Sequence, residues 1–359
     1  MKKFLLVFLT FWSCSFFSSA EACTGITLRT ASNQPISART IDWAAEPLNM
    51  MYVVVPRGHK HKSLLPDGSK QGMRFQSKYG YVGIAVEDER FIMEGVNEKG
   101  LSAGLFYFPD YGEYQSFDTA VNYLTINDMK FVSWILASCS DINQLLKKIN
   151  QIYIVGIDPR ASTVHWRVTE PSGRQVVLEI INQRMVVHEN TLGVLTNSPS
   201  LPWHLTNLNN YLHLQPGTTP PRDMGELELK SLGIGSGLYG LPGDMTSPSR
   251  FVRASFFQST APVFEQSEKT VLHAFHILNN FSIPIGLQFS EPDLAPDMHT
   301  ATQVTIVTDL VNRCFYFRTM YNTTIRCIDL QMIDFDRVSY KVDVLELSLD
   351  EPIEYIEVY

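Results

Sequence analysis

The chain has 359 residues, 45% of them hydrophobic and 18% charged, with a formal net charge of −8 at pH 7. That is enough apolar chain for one large core or two modest ones, and an acidic balance without basic runs makes nucleic acid and anionic lipid poor partners. Five cysteines are too few for a disulfide scaffold, and no CxxC pair or histidine spacing supports a metal, so neither metal nor cofactor is expected.

Lys2 and Lys3 precede an apolar run, Phe4 to Phe17, which ends at Ala20-Glu21-Ala22. The pattern reads as a secretory signal peptide over 1–22, too short for a comfortable membrane span. Cleavage after Ala22 would leave one domain over 23–359, periplasmic or secreted, with Cys23 at its start. An α-amine titrates near pH 8, so the new terminus can accept the proton of its own thiol. One residue would then supply both nucleophile and base. The competing reading is a lipid-anchored binding protein without chemistry, acylated at Cys23. Such anchors usually want Leu where Ala20 stands and a small residue where Glu21 stands.

Strand patterns follow at once: Ile26 and Leu28, then Ile36, Ala38 and Ile41 after the turn at Ser32-Asn33-Gln34-Pro35. Met51 to Val55 is another strand, and Arg57 to Gln76 reads as a loop. Tyr81–Val86, Phe91–Val96 and Leu101–Phe108 continue the sheet, with Asn97-Glu98-Lys99-Gly100 as the last turn. Met129–Ala137 reads as a helix. Ser140 or Asp141 caps a second one, whose Ile142, Leu145, Leu146 and Ile149 share one face. Strands return at Thr163–Thr169, Gln175–Ile181, Met185–His188 and Gly193–Thr196. Pro216 to Glu226 and Gly233 to Gly243 are loops; Gly233-Ile234-Gly235-Ser236-Gly237 lacks the lysine of a phosphate loop. Helices at Pro248–Gln258 and Glu268–Asn279 precede strands at Val304–Thr308, Cys314–Arg318 and Thr324–Ile328. His273 and His276 lie on a core helix. Cys314 and Cys327 flank the last hairpin, where an oxidising compartment permits a bridge. Lys60–Gln71 and Leu238–Pro248 are plausible lids. The order of elements, without βαβ alternation, predicts an α+β fold with helices on antiparallel sheets.

An N-terminal thiol nucleophile needs a cation beside it, an acid to orient its amine and donors for the oxyanion. Arg39 and Asp42 suit the first two if their segment pairs with the first strand. These residues belong to a set: Cys23-Thr24-Gly25, Arg39-Thr40-Ile41-Asp42, Gly95-Val96-Asn97-Glu98-Lys99-Gly100-Leu101, Thr163-Val164-His165-Trp166, and Gly193-Val194-Leu195-Thr196-Asn197-Ser198-Pro199. Asn207-Leu208-Asn209-Asn210-Tyr211, Gly240-Leu241-Pro242-Gly243-Asp244 and Ser249-Arg250-Phe251-Val252-Arg253 complete it. In order and spacing the set resembles the choloylglycine hydrolase and penicillin V acylase family of N-terminal-nucleophile amidases, across essentially all of residues 23–359.

The resemblance implies a four-layer αββα sandwich, commonly a homotetramer, that cleaves small N-acyl amides. By position it implies Cys23 as nucleophile, Arg39 beside the sulfur, Asp42 as acceptor from the α-amine, Asn197 as oxyanion donor and Arg250 as a further polar member. Bile-salt hydrolases of this family carry Asn after Ala-Gly-Leu, whereas this chain reads Ala103-Gly104-Leu105-Phe106-Tyr107-Phe108. The aromatic there resembles the penicillin V acylase side. Tyr107 is the candidate for a backbone oxyanion donor, with Phe106 one residue away as the alternative. Trp43, Phe106 and Phe108 are candidates for an apolar acyl pocket. The Gram-negative branch, with its associated acyl-homoserine lactones and phenoxyacetyl penicillins, is the expectation; conjugated bile-salt hydrolysis is the alternative.

Overall fold

The computed structural model describes residues 23–43, 48–157, 162–284, 287 and 301–358. The expected signal peptide lies outside the described residues. Thirteen strands build two large antiparallel sheets. They are β1 (Thr24–Arg29), β2 (Pro35–Trp43), β3 (Met50–Val55), β4 (Tyr81–Val86), β5 (Ile92–Asn97), β6 (Ser102–Tyr107), β7 (Val164–Thr169), β8 (Gln175–Ile181), β9 (Arg184–Glu189), β10 (Ala301–Asp309), β11 (Cys314–Thr319), β12 (Asn322–Asp329) and β13 (Lys341–Val344). The smaller sheet has the order β1-β2-β10-β11-β12 and the larger β9-β8-β7-β6-β5-β4-β3-β13.

The strands are buried on both faces because each sheet has a second layer on either side. β4, β5, β6 and β7 are buried at every position, the pattern expected where no face meets water. One helix, α1 (Asp128–Ser138), packs on β5 and β6 of the large sheet; α2 (Ile142–Ile149) follows it. After α3 (Leu201–Asn207), helices α4 (Ser247–Ser259) and α5 (Ser267–Leu278) cover β1, β2 and β10 of the small sheet. The result is the αββα sandwich. One core joins the large sheet to α1 and to Ile41, Val304, Ile306 and Phe315 of the small sheet. The other lies beneath α4 and α5, around Ile26, Ile36, Phe251, Val271 and Phe275, and includes Cys23 and Phe106.

Local chemistry sets the boundaries. Asp141 caps α2 by accepting from the Gln144 N–H at 2.8 Å, and its apolar residues Ile142, Leu145 and Ile149 are buried. Three expectations need correction. Arg57 to Gln76 contains a short hairpin, Lys60–Lys62 with Arg74–Gln76. The stretch 216–226 contributes Arg222–Met224 to a second exposed hairpin with Leu227–Leu229. Gly193–Thr196 is no strand; it makes a single bridge to Gly25 before the chain turns at the cis Ser198–Pro199 bond. Cys314 and Cys327 are free thiols, because the register sets Cys314 opposite Asp329 and Cys327 opposite Tyr316.

Candidate active site

Cys23 stands immediately before β1 and is 4% exposed. The next two residues are held from both sides. Gly25 sits opposite Arg39 on β2, and its N–H and C=O pair with Leu195 at 2.7 and 3.1 Å. A Cβ at Gly25 would meet the Arg167 guanidinium and come within 3.0 Å of the Phe106 ring. Glycine is needed here for close approach, not for unusual backbone angles.

Strand alternation assigns the neighbours to faces. Gly25 and Arg39 share the face toward the large sheet. Arg39 is fully buried and donates to Leu105 O at 2.6 Å, Thr40 O at 3.1 Å and Glu94 Oε2 at 3.3 Å. Its guanidinium lies 3.7 Å over the Phe106 ring. Glu94, fixed by the Ser102 hydroxyl at 2.9 Å, is shared with Arg167, whose Nη2 is 3.9 Å from Oε1. Burial lowers Arg167 to about 10, with Glu94 opposing that shift.

Thr24, Thr40 and Asp42 occupy the other face. Asp42 accepts from Thr302 Oγ1 at 2.6 Å and Thr40 Oγ1 at 3.1 Å. Thr302 is its cross-strand partner on β10. Burial pushes the Asp42 carboxyl up to about 7, against the Thr302 hydrogen bond and the charge of Arg250.

The bridge at Leu195 delivers Asn197 to the start of β1. The Cys23 N–H donates to Asn197 Oδ1 at 2.9 Å, and Asn197 Nδ2 donates to Tyr107 O at 2.8 Å. Two donors on one end and a carbonyl on the other fix the orientation of this amide. Its backbone is anchored as well. The N–H donates to Ser247 Oγ at 2.9 Å, and the C=O lies 2.9 Å from His204 Nε2. His165 Nε2 meets Thr196 O at 3.0 Å, and Glu179 accepts from the Leu201 N–H at 3.0 Å.

Arg250, in the first turn of α4, closes the site. Its Nη2 donates to Asn197 Oδ1 at 2.6 Å, and its Nη1 donates to Thr24 Oγ1 at 2.9 Å and to Cys23 O. Burial lowers it to about 10, opposed by Asp42 and Cys23.

The five expected polar residues, Cys23, Arg39, Asp42, Asn197 and Arg250, therefore gather at one end of β1. With residues 1–22 attached the Cys23 nitrogen is a peptide N–H, and Asn197 receives it while both threonines engage Asp42. Of the two backbone candidates, Tyr107 touches Asn197; Phe106 instead sends its ring beneath Arg39. Phe106 and Phe108 are fully buried, and Phe108 stacks on His165 with 4.5 Å between ring centres. Phe106 belongs to the core beneath α4 and α5. Trp43 is half-buried against the larger core. Glu94, Arg167, Thr302 and His204 were not anticipated. An acidic residue amid the apolar run of β5 was the one available signal for Glu94.

A family model described as linear amide C–N hydrolases, choloylglycine hydrolase family, matches residues 23–343. This two-sheet sandwich with a thiol at the head of its first strand is the architecture of an amidohydrolase acting on linear amides. The chain belongs to the choloylglycine hydrolase family. It is 30% identical over 320 residues to the bile salt hydrolase/transferase of Clostridium perfringens, covering 88% of this chain and 94% of that protein. It is 25% identical over 324 residues to the penicillin V acylase of Pectobacterium atrosepticum, covering 84% and 78%. A crystal structure of a conjugated bile acid hydrolase variant from Clostridium perfringens superposes with a TM-score of 0.79 at 27% identity, covering 93% of this chain and all of that one.

Proposed function

We propose that removal of residues 1–22 exposes Cys23 as the nucleophile of a periplasmic or secreted amidase. The single observation that carries this reading is the grip on Cys23. Asn197 Oδ1 meets its nitrogen at 2.9 Å, and Arg250 bonds both Asn197 and the Cys23 carbonyl. The family match also begins at Cys23.

In this mechanism the thiol proton passes to the α-amine and the sulfur attacks the amide carbonyl carbon. The tetrahedral adduct collapses as the C–N bond breaks, and the α-ammonium returns its proton to the departing amine. Water, deprotonated by the α-amine, then attacks the thioester carbonyl; the C–S bond breaks, the α-ammonium returns its proton to the departing sulfur, and the carboxylic acid leaves. Arg39 and Arg250 favour the anionic sulfur. Asp42, ionised, holds the α-ammonium. The second Nδ2 proton of Asn197 serves the oxyanion, and by resemblance the Tyr107 backbone is the other donor.

The substrate reading is an apolar acyl group on a small polar amine, with penicillin V or an acyl-homoserine lactone ahead of bile salts, because aromatics follow Ala103-Gly104-Leu105. Bile-salt hydrolysis is the second reading, favoured by the 30% identity to a bile salt hydrolase/transferase. A homotetramer is the working assembly, by resemblance. Amine release from the chain beginning at Cys23 should be measured on penicillin V, an acyl-homoserine lactone and glycocholate, with Cys23→Ala as control. Turnover of either of the first two that vanishes in the variant supports the acylase reading. Dominant glycocholate cleavage keeps the nucleophile and overturns the substrate ranking. Undiminished turnover by Cys23→Ala overturns the mechanism.

A further inference from the structure

A cavity of about 250 Å³ lies between the Lys60–Lys62 strand and the start of α1, and none of its lining residues belongs to the Cys23 site. Its walls concentrate positive charge on a chain whose net charge is negative. Lys60, Lys62, Lys70, Arg90 and Lys130 line it, against Glu89 as the one carboxylate of the lining. Arg90 is already balanced by Asp88, with its Nε 2.7 Å from Oδ1. The four lysines are not: among the described residues no carboxylate oxygen lies within 4 Å of their ammonium groups.

Lys130 is the residue that needs an explanation. It is 5% exposed, and its Nζ donates to Arg90 O at 3.3 Å. It also occupies the first turn of α1, where the helix dipole disfavours a cation. A buried ammonium with one carbonyl contact, and with Asp88 and Glu89 acting only from beyond ion-pair distance, is costly. Burial and the neighbouring Arg90 lower it to about 8.

We propose that this cavity binds a small phosphate-bearing anion, with Lys130 as its buried ion-pair partner and Lys60, Lys62 and Lys70 around its mouth. A phosphate group brings close to two negative charges and three strong acceptor oxygens at neutral pH, which suits several ammonium groups better than a lone carboxylate. The cavity exceeds what inorganic phosphate fills. Its aromatic side, where His59 stacks on Tyr340 with 4.5 Å between ring centres, gives an attached organic group a surface to lie on.

The test uses the purified chain and sodium phosphate, with sodium chloride at matched ionic strength as reference. Phosphate should raise Tm saturably and give a titratable heat in calorimetry. Affinity should fall at least tenfold both in Lys130→Met, which keeps the apolar stem, and in the exposed double variant Lys60→Gln/Lys62→Gln, which leaves the core untouched. Phosphatidylcholine vesicles with and without phosphatidic acid distinguish the source. Pelleting that requires phosphatidic acid and Lys60/Lys62 assigns the phosphate to a lipid headgroup, whereas phosphate binding without pelleting assigns it to a soluble ligand. A Tm rise no larger than that in chloride, or one equal in wild type and both variants, overturns the proposal.

Discussion

Arg250 and Asn197 act as one unit: Nη2 of the arginine lies 2.6 Å from Oδ1 of the asparagine, and both contact Cys23. The guanidinium spans three acceptors contributed by α4's partners, namely Asn197, Thr24 and the Cys23 carbonyl. A lysine carries the charge as a point and cannot reproduce this fork. Arg250→Lys should therefore lower kcat by roughly 10²-fold with a much smaller change in KM. Steady-state kinetics on the best amide substrate checks this, and an effect confined to KM would place Arg250 in substrate binding alone.

Asn197→Asp separates donor from acceptor. The carboxylate still accepts from Arg250 and from the Cys23 nitrogen, so the ion pair keeps the site assembled. It can no longer donate to Tyr107 O or to an oxyanion. Turnover should fall on the order of 10²–10³-fold, while the urea midpoint shifts far less than in Asn197→Ala. Equal losses of turnover and stability would reduce Asn197 to a structural turn.

Glu94 is the shared counter-charge of Arg39 and Arg167, both fully buried. Removing it leaves both guanidinium groups buried without their shared ion-pair partner. Glu94→Ala should cost roughly 3–5 kcal/mol in urea unfolding, the scale of a broken buried ion pair. Gly104→Ala attacks the same cluster from outside, since a Cβ there would collide with the Glu94 carboxylate and sit 3.1 Å from Arg39 Nη1. Both variants should lose turnover through displacement of Arg39. A Gly104→Ala protein with wild-type kcat would show that Arg39 is not held by this cluster.

The layers were legible because burial leaves a mark on sequence. Alternating or continuous apolar runs such as Tyr81–Val86 became strands, and the spacing of Ile142, Leu145 and Ile149 gave α2 its inner face. The polar site residues were legible for a different reason: their short motifs recur as a set, not because any one of them is informative alone. What escaped was chemistry that depends on three-dimensional register. Thr302 meets Asp42 across strands 260 residues apart in sequence, and Glu94 reaches Arg39 from the opposite sheet. Periodicity could not separate the bridging segment 193–196 from a strand, since one pair of hydrogen bonds to Gly25 uses the same extended backbone.

Asp42 links this buried chemistry to pH. Its folded value, raised from 3.8 to about 7, means the native state holds the proton more tightly than the unfolded chain. The associated stability is present in full below about pH 4 and is lost as pH rises through about 7, at about 1.4 kcal/mol per pH unit. The total is at most about 4 kcal/mol by that slope. Asp42→Asn keeps a neutral group at every pH, so the stability difference between variant and wild type should grow in favour of the variant between pH 4 and 8. Turnover should move the opposite way: wild type gains activity as pH rises through about 7 and Asp42 ionises, whereas the stabilised variant stays slow throughout. Urea unfolding and pH–rate profiles of both proteins give the two curves. A stability difference that stays flat across this range would mean that Asp42 is ionised well below neutrality and that burial alone does not set its charge.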